Sequence, residues 1–169
     1  MRTIPTLGAL ALGLTTTLLG PAPAAVAGGS TTEHQRGIVL ECTGSDRAHS
    51  AYVDLYENDR HGNYVQVVLD DDPKLAASRQ PKDIWSDGAV RTNVRIGGKR
   101  AVVAGTAHRT GPRRHVHETH DDGGNHIVAD GFHRRLANDL VLRYDGHRIP
   151  LTCAPAFFYS LEVTTTPIA

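Results

Sequence analysis

NDLVLRYDGHRIPLTC, Asn138 to Cys153, is two runs of alternating apolar and polar residues around Asp145-Gly146. Asp-Gly inside such a pattern is a strong signal for a two-residue type I′ turn, because both central residues need positive φ. A two-residue turn sets Leu142 opposite Ile149 and Leu140 opposite Leu151. Carrying that apolar face two residues further turns Cys153 inward. Pro150 falls on the outward face, and its missing N–H predicts a bulge or an imperfect closure there.

The same period of two runs outward along the chain. In GIVLECT, Ile38, Leu40 and Cys42 share a face, with Glu41 opposite. AYVDLYE follows, then NYVQVVL, with Val65, Val67 and Leu69 on one side and Tyr64 and Gln66 on the other. GAVRTNVRI places Val90, Val94 and Ile96 together; Gly97-Gly98 is a second hairpin signal, and KRAVVAGTAH returns with Ala101, Val103 and Gly105 inward. Cys42 and Cys153 thus face the core on an early and a late strand, and they are the chain's two cysteines. The expected fold is all-β: an antiparallel meander of about eight strands closing into a small β-barrel or barrel-like sandwich, its first and last strands joined by a Cys42–Cys153 disulfide. Asp70 to Trp85 reads as the one long connection, in which LAAS is short enough for a turn of helix and Pro81 stops anything longer. Trp85, the only tryptophan, is expected to plug one barrel end. The apolar tail, residues 154–169, reads as one more strand or as a segment packed over the mouth.

The N-terminus reads differently. One charge at Arg2, an uncharged run from Leu7 to Gly20, and Ala25-Val26-Ala27 form the three parts of a secretory signal peptide, with cleavage expected after Ala27. The expected layout is a signal peptide over 1–27, a flexible polar lead-in over 28–36 and a single β domain over 37–169, secreted and monomeric. No later apolar run reaches the length of a membrane helix. Charge is balanced, 18 Lys+Arg against 18 Asp+Glu, which argues against a nucleic-acid partner.

Chemistry concentrates in RRHVHETHDDGGNHIVADGFHRR, Arg113 to Arg135, which holds five of the ten histidines. Within it Asp121-Asp122-Gly123-Gly124-Asn125 is a hairpin turn by composition, its length left open. With an even-numbered turn, His115, His117 and Thr119 share a face with His126, Val128 and Asp130, while Val116, Ile127 and Ala129 lie opposite as the core side. His115, His117, His126 and Asp130 are then candidate ligands for zinc or copper. No Gly-x-Ser-x-Gly elbow, Walker loop, dinucleotide glycine fingerprint or His-Glu-x-x-His motif occurs in the chain. LECTG and IPLTC also resemble, in layout, the first and last strands of small exported lysozyme-inhibitor barrels, although GFHRRLAND carries no tryptophan where that family has its inhibitory stretch. The resulting expectation is an exported, non-enzymatic binding protein needing no cofactor, its partner an extracellular protein or small ligand. The alternatives are an inhibitor of a secreted or cell-wall-directed hydrolase, and a metal-dependent enzyme using the His115/His117 face.

Overall fold

The computed structural model describes residues 29–168, so the expected signal peptide lies outside the described residues. Ten strands follow one another: β1 (Thr31–Ser45), β2 (Ser50–Asn58), β3 (Gly62–Leu69), β4 (Ala76–Arg79), β5 (Trp85–Ser86), β6 (Ala89–Ile96), β7 (Lys99–Arg109), β8 (Arg114–Asp122), β9 (Asn125–Tyr144) and β10 (His147–Pro167). A 3-10 turn at Pro73–Leu75 is the one helical element among the described residues. All strand pairs are antiparallel, in the order β4-β3-β2-β1-β10-β9-β7-β6-β5, with β8 added on β9. The sheet curls into a half-barrel.

Alternation explains where the core sits. Asp145 and Gly146 have φ of 49° and 83°, the mirror-image turn that the Asp-Gly pair favours. Leu142 faces Ile149 and Leu140 faces Leu151 across it. Those four side chains are buried together with Ile38, Leu40, Val65, Val67, Val94, Ile96 and Val103, one face of each strand. Cys42 and Cys153 are register partners in β1 and β10 and form the disulfide.

The first and last strands do meet, but in the middle of the sheet. The seam lies elsewhere, where β3 and β4 come up against β6 without pairing to it. There the Glu57 carboxylate accepts the backbone N–H groups of Ile84 (2.8 Å) and Trp85 (2.9 Å), tying β2 to the segment ahead of β5. Trp85 packs on Phe158 and donates its indole N–H to the Ala107 carbonyl at 2.9 Å.

Three local expectations change. Pro150 pairs in register with Val141 and lies one residue beyond the last β1–β10 pair, Gly44–Leu151, so no ladder pair with β1 calls for its N–H. The irregularity comes further on, where Glu41 of β1 faces two residues of β10, Ala154 and Pro155. LAAS is not helical: Ala76–Arg79 is edge strand β4, and the 3-10 turn precedes it, capped by the Asp72 carboxylate on the Lys74 N–H. The lead-in is not a loose tail either, since Thr31–Arg36 pair with Ser160–Thr165.

That pairing builds a second layer of organisation. Beyond the Gly37–Asn58 pair β1 has no β2 beside it, yet β1, β10, β9 and β8 continue as a four-stranded extension. The tail after Cys153 is the outer half of β10, one of its central strands. Gly131 sits in the middle of the extension at φ 153°, where a Cβ would come within 2.3 Å of the Ser160 carbonyl oxygen. Only glycine lets the two backbones approach that closely.

Candidate functional site

The core face of the half-barrel does not stop at the core. Side chains on one face recur every second residue, so it can be followed outward along β1 from Ile38 to Arg36 and His34, and along β10 from Phe158 to Ser160 and Glu162. On β9 it runs from Leu136 through Arg134 and Phe132 to Asp130, and on β7 from Ala107 to Arg109. The apolar interior therefore gives way first to arginines and aromatic rings, then to histidines and carboxylates.

The first of these zones is a recess of about 300 Å³ lined by Arg36, Arg109, Arg113, Phe132, Phe158 and Ser160. The Arg109 guanidinium carbon lies 3.7 Å from the Phe158 ring centre and 5.2 Å from that of Trp85. Arg113 lies 4.5 Å from the centre of Phe132. Such stacking uses the face of the guanidinium and leaves its N–H edge free to donate. Arg134 stands beside them, its Nε–H donated to the Gly111 carbonyl at 2.9 Å, which holds the β7–β8 loop against β9. Partial burial, then the charges of Arg134, Arg36 and Arg113, push Arg109 below the usual arginine value.

The second zone holds the histidines read from sequence. Gly123 and Gly124 form a two-residue turn with φ of 56° and 80°, so the even-numbered register holds. His117 is directly opposite Asp130 and His115 is opposite Phe132. Asp130 accepts from His117 Nδ1 at 2.9 Å and lies 3.5 Å from His115 Nε2. The His117 hydrogen bond leads in holding the Asp130 carboxyl below the usual range, with His115 adding to it. His115, His117 and Asp130 thus come together, and all three are exposed.

His126 does not join them. It is opposite Asp121 and bonded to it at 2.7 Å, two register steps nearer the turn than Thr119. Among the described residues no three His, Cys, Asp or Glu side chains converge as metal ligands. The expected four-ligand set is therefore split: His115 and His117 turn to Asp130, and His126 turns to Asp121 instead. The sides of the hairpin also differ from expectation. Val116, Ile127 and Ala129 are only half-buried and lie on the side away from the core, whereas the histidines lie on the core side.

A further histidine cluster, at the opposite end, has no signal in local sequence. His49 bonds Asp70 at 2.8 Å and His147 bonds Asp46 at 3.0 Å, with the two rings edge to face at 5.1 Å. Asp46 also accepts the N–H groups of Ala48 and His49, and Asp70 that of Ser50. Backbone hydrogen bonds lead in lowering the Asp46 carboxyl, and the His49 bond leads for Asp70. Both carboxylates bridge turns, which makes this cluster a clasp for the loops at that end.

No family model matches the chain, and no curated protein matches it. Among solved structures, one provisionally described as AttH, from Nitrosomonas europaea, is similar at 10% identity with a TM-score of 0.34. The match covers 80% of this chain and 52% of that one, so the chain spans about half the length of that protein. At this degree of likeness nothing about the site carries over.

The recess escaped sequence reading because its residues come from four strands and a loop. The one local hint in the sequence is the cluster of Arg113, Arg114, Arg134 and Arg135 flanking the histidines.

Proposed function

We propose that this protein is exported and acts by binding, with its ligand seated on the core side of the extension, in the recess of Arg36, Arg109, Arg113, Phe132 and Phe158. The observation that carries this reading is the recess itself: guanidinium edges held in place by aromatic rings, at the open end of an otherwise filled half-barrel. Its lining offers donors and ring faces, the chemistry of holding a ligand in one orientation. The imidazoles of His115 and His117 adjoin it and are engaged with Asp130. Export is supported by the three-part pattern of residues 1–27 and by the Cys42–Cys153 disulfide, which forms and persists in oxidising compartments.

Intact-mass measurement of protein from culture medium tests export, with Gly28 expected as the first residue. Native mass spectrometry of the same protein, after incubation with a small-molecule extract of the medium, tests binding. A retained adduct that is recovered chemically unchanged, and is lost in Arg109→Gln, supports the reading. An adduct recovered as a reaction product, or one retained equally by Arg109→Gln, overturns it.

A further inference from the structure

We infer that the recess is an oxyanion site for the phosphate or sulfate ester group of a larger ligand, an inference that rests on the binding role proposed above. Three arginines line the recess from different elements, Arg36 from β1, Arg109 from the end of β7 and Arg113 from the loop after it, and Arg134 of β9 stands next to them, bonded to Gly111. The Ser160 hydroxyl adds a donor on the floor. A carboxylate presents two oxygens in one plane and satisfies one or two guanidinium forks. A tetrahedral ester presents three terminal oxygens, and these suit donors converging from several sides.

Charge supports the same conclusion. The whole chain is neutral by formal count, so three arginines lining one recess, with Arg134 beside them, are a local concentration. None of the eight ion pairs among the described residues uses an arginine. The acidic groups on this face have other partners: Glu57 the backbone N–H groups of Ile84 and Trp85, Glu162 the His34 ring at 3.5 Å, and Asp130 those of His115 and His117. Asp59, behind β1, accepts the backbone N–H of Arg36 at 2.8 Å.

Arg36, Arg109 and Arg113 are themselves exposed, and exposed arginines are ordinarily mobile. Here the ring contacts of Arg109 and Arg113, and the Gly111 bond of Arg134, hold three of the four side chains in place. A site preformed in this way loses less side-chain freedom on binding. At about 300 Å³ and open on one side, it accommodates an ester group and the first atoms beyond it, leaving the rest of the ligand over the histidine zone.

Trp85, the only tryptophan and in contact with Arg109, reports on the recess by fluorescence. The purified protein is titrated with phenyl phosphate, phenyl sulfate and benzoate, which share a ring and differ in the anion. Saturable binding of at least one ester, tenfold or more tighter than benzoate, is expected. It should weaken at least tenfold in Arg109→Gln and in Arg36→Gln, and stay unchanged in Arg91→Gln, on the outward side of β6. Whichever ester binds more tightly identifies the source as phosphate or sulfate. Calorimetry repeats the Arg109→Gln measurement, because that substitution alters the surroundings of Trp85; Arg36→Gln leaves the ring contacts intact. Benzoate binding as tightly as the esters in the same recess overturns the ester assignment and leaves the binding role standing. No saturable binding of either ester, or equal loss in Arg91→Gln, overturns the assignment. The binding role then stands or falls on whether native mass spectrometry finds an Arg109-dependent adduct.

Discussion

Thr92 sits on the core face of β6 between Val90 and Val94, 2% exposed, and its hydroxyl has no hydrogen-bond partner. A buried hydroxyl without a partner forfeits its hydration and gains nothing in return. Thr92→Val keeps the shape and removes the oxygen, so it should raise stability by about 1 kcal/mol. The measurement is a higher denaturation midpoint in urea at unchanged slope. Asp54 shows the opposite imbalance. It faces Glu41 directly across β1 and β2, and partial burial, then the Glu41 charge, raise its carboxyl above the usual range. A carboxyl whose folded value is raised costs stability at neutral pH, where it is charged, and the cost fades as pH falls toward the unfolded value of about 4. Asp54→Asn should therefore raise Tm at pH 7, and the gain should shrink to nothing by about pH 4. For Asp46 and Asp70 the sign reverses. Their lowered carboxyls contribute stability above about pH 4 that is lost as pH falls further, so the loop clasp should loosen in acid.

At the scale of elements, the extension and the half-barrel should differ in stability. The extension strands bury little on either side, whereas β6 and β7 carry Val94, Ile96, Ala101 and Val103 in the core. Local opening follows buried apolar contact. Amides of Arg114–Asp122 and Asn125–Phe132 should exchange with deuterium at least a hundredfold faster than those of Val94–Ile96 and Ala101–Val103; equal protection would contradict the division. The same contrast marks what was readable in the sequence. Hairpins closed by Asp145-Gly146 and Gly97-Gly98 are legible because turn chemistry and a period of two act within a few residues, whereas in Asp121–Asn125 the turn is legible but its length is not. The inward face of Cys42 and Cys153 was legible for the same reason. Sheet order was not, since alternation reports which side of a strand is apolar but not which strand lies beside it. The histidine hairpin shows the cost: alternation puts His115, His117 and Asp130 on one face, as the register has them, but it points to Val116 for the core side. Half-buried Val116, Ile127 and Ala129 present the same apolar period as a true core face.

At the scale of the molecule, one covalent link spans the central pair of strands. Cys42 and Cys153 are separated by 111 residues. On the chain-entropy view, closing a loop of that length removes freedom from the unfolded chain equivalent to about 5 kcal/mol. Replacing both cysteines by serine should lower the denaturation free energy by up to that amount, read from the midpoint shift under non-reducing conditions. A shift below about 1 kcal/mol would mean that the unfolded chain gains almost no freedom from losing the link.

The adjacency of β1 and β10 also sets a schedule. β1 is the first of the ten strands along the chain, and its central neighbour β10 is the last. Until β10 joins, β1 can pair on one side only, with β2, and β1 to β4 form a partial sheet with an open edge where β10 belongs. Contacts this distant in sequence are slow to find one another. The centre of the sheet therefore closes only when β10, the last of the ten strands, reaches β1 and β9.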